Sequence, residues 1–450
     1  TYDFEIGDDL EWGLPRDCAC PSTGGFELSG GFIDENGVEQ QSTLSVGYVS
    51  NDGTPCAYVG ASMLPNFDGS SELADGLEDH FQWQCGDVEP DPINLTPVGT
   101  AQWRLGVGHS IREGTGAIGE DCTIYTTNDE GKLFAVSPQG EIKWEFHGGD
   151  AGTRLMPLVA PDGTILAPMG EHTLVALNPD GTQKWEYETE SPQYMLVQPA
   201  VAPDGTIYIA AEGALIALSS AGAKKWEYAF DGDEDRLSAP AIGADGTIYV
   251  NARKWSEGRL HAISSAGVLQ WTYNTGSCTS AAIADDGTIY VGTGDGLQAI
   301  TPDGKNKWFT ETDDIPRPPV IGSDGTIYAK TGGYKLQAFN SNGQKKWSFE
   351  TGFEDDDLVD SSPTIGADGI IYINTVSGDL YAIKSNGQVD WQYNDDTWEA
   401  MTSPLISPTG AVYVGWYQQL YSISSTSFGL ADSPWPKDRG NAQNMGHVVE

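Results

Sequence analysis

Carboxylates are the reactive groups this sequence offers in quantity, and two stretches concentrate them. Asp231-Gly232-Asp233-Glu234-Asp235 sets acids at alternating positions, the spacing by which a calcium loop wraps oxygen ligands around one ion. It has no glycine at the sixth position and no closing glutamate, so it is not an EF-hand. Asp355-Asp356-Asp357, with Asp360 close behind, is a second cluster. Both are candidate sites for calcium or another divalent ion; the plain alternative is solvated surface. Paired acids also hydrolyse glycosides, but among 65 Asp and Glu such pairs single nothing out.

Other chemistry is thinner. There is no serine nucleophile elbow and no H-E-x-x-H. His80, His109, His147, His172, His261 and His447 are scattered without metal-ligand spacing. Four of the six cysteines, Cys18, Cys20, Cys56 and Cys85, crowd into the first fifth of the chain, which predicts two disulfides with three possible pairings. Cys18 and Cys20 are too close to bond each other comfortably in a strand, so each is expected to reach Cys56 or Cys85. A zinc site is the rival, without the CxxC spacing of structural zinc. Cys122 and Cys278, far apart, are expected to be buried free thiols. Asn94-Leu95-Thr96 is a glycosylation sequon.

The formal net charge of −42 argues against nucleic acid and anionic membrane as partners, since both would repel the chain. No stretch approaches the ~20 apolar residues of a membrane span. The chain begins at Thr1, from which we expect an exported protein whose leader has been removed, extracellular or on the cell surface.

Residues 1–99 differ from the rest: Arg16 is their only Arg and Lys is absent. Thr43–Val49, the turn Asn51–Thr54 and Cys56–Val59 read as a β-hairpin. Leu73, Leu77 and Phe81 recur at helical spacing. The prediction is a small, disulfide-stapled, β-rich head domain ending in a Pro-rich linker, 87–99. Tyr2, Phe4 and Ile6 alternate with acids as in a strand with one face to bury. It is either an edge strand of the head or a strand lent to a neighbouring molecule.

From residue 100 to 450 one grammar recurs eight times. Asp162-Gly163-Thr164-Ile165-Leu166 returns at Asp204, Asp245, Asp286 and Asp324, more loosely at Asp368 and Thr409, and first at Asp121, where the glycine is lost. The starts are 38 to 44 residues apart, a propeller-blade period. Each unit reads as four strands, the fourth opening with Trp: Trp144, Trp185, Trp226, Trp271, Trp308, Trp347 and Trp391. The eighth unit ends without its Trp strand, and Trp103, ahead of the first turn, fits the vacancy. The fold class is therefore all-β: an eight-bladed propeller of four-stranded blades closed by the N-terminal repeat strand. Closure removes exposed sheet edges. The tryptophans are expected between neighbouring blades, each with its N–H on a backbone carbonyl. Register places Arg154 and Asp360 at the axis, to pair or to hold a small polar ligand.

Asp245–Val250, Leu174–Gly181, Lys184–Tyr187 and the ending Ser433–Asn441 resemble the PQQ-like repeat propellers, over roughly residues 100–450. That family includes quinoprotein dehydrogenases and a non-catalytic lipoprotein of the outer-membrane assembly machine. The resemblance implies fold more than activity. Its dehydrogenase branch holds quinone between a Trp and a disulfide of adjacent cysteines, beside calcium; no adjacent pair exists here, and no C-x-x-C-H haem site.

The reading is a non-enzymatic exported scaffold with protein partners, among them copies of itself, joined through the N-terminal segment as a self-assembling filament subunit. The alternatives are a quinoprotein-like oxidoreductase and a calcium-dependent carbohydrate- or ion-binding surface protein. Cofactors are none, or calcium.

Overall fold

The chain divides into two compact units, Thr1–Leu95 and Thr96–Glu450. A computed structural model describes residues 25–33, 39–50, 55–60 and 97–448, apart from loop residues 112–115, 149–154, 171, 190–196, 212, 231–235, 255–256, 277–278, 313–317, 332–334, 351–361, 376–377 and 395–401. In the first unit Gly25–Ile33, Glu39–Ser50 and Pro55–Gly60 form an antiparallel meander. Its second and third strands are the predicted hairpin, paired from Ser45↔Gly60 to Ser50↔Pro55.

The second unit is a propeller of eight antiparallel sheets. Blade 2 is typical: Leu158–Val159 innermost, then Ile165–Met169, Thr173–Leu177 and Gln183–Glu188. The two middle strands are almost wholly buried, while the outer strand alternates between exposed and half-buried residues. That follows from packing: middle strands are sandwiched by neighbouring blades on both faces, and the outer edge meets water. Blade 4 departs from four strands, because Arg236–Leu237 and Ala241–Ile242 both pair with Ile248–Lys254.

Blade 8 is completed by the start of the repeat array. Ala101–Gly106 pairs with Gln419–Ser424, and Trp103 lies opposite Ser422. Elsewhere the residue across from the tryptophan is alanine, as in Ala176↔Trp185 and Ala217↔Trp226. A small residue leaves the ring room to lean across the interface. A register shift follows each of these pairs, at Ser422/Ile423 as at Ala176/Leu177; such bulges deepen strand twist.

Each tryptophan lies on a turn glycine of the next blade. A Cβ on Gly140 would stand 2.7 Å from the Trp103 ring, and one on Gly222 would stand 2.7 Å from Trp185. These glycines also sit at positive φ, +86° and +78°, so both the contact and the conformation require them. The indole N–H donates to the carbonyl two residues before the glycine: Trp103 to Pro138 at 2.8 Å, Trp144 to Pro179 at 2.8 Å, Trp185 to Ser220 at 3.0 Å. Seven of the eight do so. Trp391, packed on Gly99, is the exception to the predicted rule, and its Nε1 has no partner. The equivalent acceptor, Pro97 O, is taken at the ring seam by the hydroxyls of Ser424 and Thr100, both at 2.5 Å.

The Asp-Gly-Thr turns carry a second repeated device. Lys143 Nζ bonds Asp121 Oδ2 at 2.9 Å and Thr123 Oγ1 at 2.8 Å; Lys184 does the same to Asp162 and Thr164, and Lys307 to Asp286 and Thr288. Burial alone would raise these carboxyls, but the Thr hydroxyl and amide and the Lys ammonium together hold them below the ordinary range. In the first repeat Cys122 stands in the glycine's place, at φ +60°. It is disulfide-bonded, which corrects the expected free thiol.

Candidate functional site

The inner strands present an edge to the axis, and an edge needs partners for its N–H groups. After the last strand, residues 425–448 supply them. This segment holds Gly429, Pro434, Pro436, Gly440 and Gly446, a composition that forbids a regular strand but leaves carbonyls free to accept. Ile118 N donates to Ala442 O at 3.0 Å, Val159 N to Gln443 O at 3.0 Å, Val201 N to Met445 O at 2.8 Å and Ile242 N to Gly446 O at 2.9 Å. On the other side Ile321 N donates to Trp435 O at 2.7 Å and Ile365 N to Pro436 O at 2.9 Å. The tail thus laces the second inner-strand residue of six of the eight blades. Trp435, 1 % exposed, and Val448 join the core around Ile283 of blade 5.

The centre of this lacing is cationic. Lys437 and Arg439 are each 2 % exposed. Lys437 Nζ donates to Asn444 Oδ1 and to Asp438 O. Arg439 Nη2 donates to Pro199 O at 2.8 Å, and Arg439 Nε has no partner. Asn444 Nδ2 reaches Gly116 O at 2.7 Å and Pro157 O at 3.1 Å, tying the tail to blades 1 and 2. Arg439 and Asn444 both have left-handed backbones, at φ +71° and +61°; asparagine tolerates this, and an arginine held there is strained. Burial pushes the Lys437 ammonium down to about 8, with Asp438 opposing and Arg439 adding to the fall. Burial likewise lowers Arg439 to about 10 and lowers His447, whose Nδ1 lies 3.1 Å from Val201 O.

A second irregularity lies between blades 2 and 3. Blade 2 has Leu166 where six other blades put a tyrosine ring about 5.7 to 5.9 Å from their Trp and blade 8 puts Tyr413 against Trp103 at 5.7 Å. A cavity of about 260 Å³ opens there, lined by Ala160, Leu166, Pro203 and Ile207 with Asp162 and Asp204.

The sequence pattern of the family described as outer membrane protein assembly factor BamB matches residues 94–254, 196–310 and 256–438. The chain belongs to this family. Among solved structures, BamB from Moraxella catarrhalis superposes with a TM-score of 0.58 at 16% identity, covering 73% of this chain and 98% of that one. A computationally designed protein, Ika8, gives 0.58 at 12% identity over 71% of this chain and 98% of its own. A streptogramin B lyase gives 0.47 at 16% identity, over 59% and 92%. These likenesses concern the fold. None of the curated proteins matches the chain.

No two cysteines are adjacent in the sequence, and the blade tryptophans cover turn glycines. Among the described residues no three His, Cys, Asp or Glu come together to hold a metal, and no helix is long and apolar enough to cross a membrane. Asp231, Asp233, Asp235, Asp355, Asp356, Asp357, Arg154, Asp360, Tyr2, Phe4, Ile6, Cys18, Cys20, Cys85, Asn94 and the side chain of Cys56 lie outside the described residues, as does the helix expected near Leu77. Lys437, Arg439 and Asn444 were not singled out from sequence; the signal available was the Trp435-Pro436-Lys437-Asp438-Arg439 ending, which the resemblance marked without giving it a place.

Proposed function

We propose that this chain is a non-enzymatic, exported protein-interaction scaffold whose N-terminal segment joins copies of it into a cell-surface or extracellular assembly. The observation that carries the scaffold reading is membership of a family described by an assembly factor, on a ring whose inner strands are laced by its own tail. What is left to a partner is broad surface, the loops and outer strands, and broad surfaces recognise proteins. The acidic excess favours a partner with a basic face and disfavours nucleic acid.

The assembly reading rests on Tyr2, Phe4 and Ile6, which have the alternation of a strand that adds to another sheet. A head-to-tail contact of that kind gives a ring or an open fibre. Deleting residues 1–7 should leave a folded but monomeric protein in sedimentation and electron micrographs. Unchanged assembly would remove this part of the reading and leave the scaffold standing. Calcium is the ion we propose for the loops at Asp231–Asp235 and Asp355–Asp357; a melting midpoint that does not move with calcium at constant ionic strength would remove it.

A further inference from the structure

Blade 2 lacks a ring for which its fold has a place. In the other seven blades a tyrosine stands 5.7 to 5.9 Å from the blade tryptophan. Leu166 holds the same register position: it pairs with Ala176, and Ala176 with Trp185, just as Tyr208 pairs with Ala217 and Ala217 with Trp226. The neighbouring blades also locate the absent ring. The tyrosine edge lies over the residue two before the turn aspartate. A Cβ on Gly119 would stand 3.2 Å from Tyr125 Cε2, and one on Gly322 would stand 3.2 Å from Tyr328 Cε2. In blade 2 that residue is Ala160, which lines the cavity of about 260 Å³ together with Asp162, Thr164 and Leu166. The alanine does not itself exclude a ring, because blades 3 and 5 carry Ala202 and Ala284 there and keep Tyr208 and Tyr290.

The lining suits a phenol from end to end. Ala160, Leu166 and Ile207 form a buried apolar floor. An apolar cavity of about 150 Å³ already admits a benzene ring. The hydroxyl end is also set by the repeat. Burial pushes Tyr249 and Tyr328 up to about 12; the Asp245 and Asp324 carboxylates add to the rise, and hydrogen bonds with Thr247 and Thr326 oppose it. Each of these hydroxyls thus stands by the threonine of its own turn, with the aspartate near. Blade 2 keeps both residues, and Lys184 Nζ holds them, bonding Thr164 Oγ1 at 2.6 Å and Asp162 Oδ2 at 3.2 Å. Pro161, Asp162, Pro203 and Asp204 are exposed, so the rim of the cavity meets solvent.

We propose that the niche between blades 2 and 3 is a binding site for a phenol ring that this chain does not supply from its own blade, with the ring on Leu166 and Ile207 and the hydroxyl toward Thr164 and Asp162. The hydroxyphenyl group is common to free phenols and to tyrosine side chains of other chains, and the two sources are separated by the choice of probe.

The first probe is p-cresol, the tyrosine side chain by itself, titrated into the full chain with its isoleucine methyls labelled. The Ile207 methyl resonance should shift and saturate. Toluene lacks the hydroxyl and should bind about tenfold more weakly, the loss of one hydrogen bond to a charged or polarised group. Leu166→Tyr restores the ring and should abolish the p-cresol shift; if that variant does not fold, Thr164→Val should bring p-cresol down to the toluene level. Acetyl-tyrosine amide binding as well as p-cresol supports the site and assigns the ring to another chain, whereas p-cresol binding with the amide excluded supports it and assigns a free phenol. No saturating shift at Ile207, equal binding of p-cresol and toluene, or undiminished p-cresol binding in a folded Leu166→Tyr would overturn the site.

Discussion

Replacing Gly222 with alanine asks how much the tryptophan wedge contributes, because the molecule contains its own control. Gly222 has φ +78° and a Cβ there would stand 2.7 Å from the Trp185 ring; Gly325 has φ +74° and nothing within 4 Å of its Cβ. Both substitutions carry the left-handed strain of an L-residue, about 1–2 kcal/mol, less some gain from a stiffer unfolded chain. Only Gly222→Ala also drives a methyl into a packed ring. Overpacking of this kind costs about 1–3 kcal/mol, and shifting the ring loosens the Trp185 bond to Ser220. Gly222→Ala should therefore be less stable than Gly325→Ala by about 1–3 kcal/mol. Denaturant titration followed by tryptophan fluorescence measures both on the full chain. Equal losses would refute the view that the indoles bear directly on the next blade's turn.

Two further outcomes follow from the irregular blades and the tail. Leu166→Tyr should raise the melting midpoint by filling the cavity that Leu166 lines and restoring the Tyr–Trp pair of the other blades, worth about 0.5–1.5 kcal/mol; a fall would mean that the space does not admit the ring. Lys437 titrates near 8 in the folded chain against an ordinary 10.5. Its cost is thus fully present below about pH 8 and is relieved as pH rises toward the lysine's ordinary value. The wild type should gain about 3 kcal/mol on Lys437→Met across that window, and a flat difference would contradict the burial.

Ring closure was legible because it is a counting problem written in tryptophan. Eight turns, seven following Trp strands and one early Trp103 leave a single consistent arrangement, and the Ser422 pairing repeats the small-residue rule of the other blades. The lapse at Trp391 was not legible, since it depends on which hydroxyls reach Pro97 O at the seam. The tail was invisible for a different reason. Its segment has no period, and its partners Ile118, Val159 and Val201 lie about 240 to 330 residues upstream, where no local pattern reaches. No sequence pattern therefore singled out Lys437 and Arg439. Cys122 misled because its distance along the sequence from Cys278 suggested a free thiol, when the sulfur is bonded and the backbone keeps the positive φ of the turn.

Hydrogen exchange on the intact chain tests the closed eight-bladed ring most directly. If Ala101–Gly106 is the outer strand of blade 8, its amides should exchange as slowly as those of Lys224–Ala229, the outer strand of blade 3, and Gln419–Ser424 should be protected with them. Rapid exchange across Ala101–Gly106, at the rate of an unpaired linker, would contradict the closure.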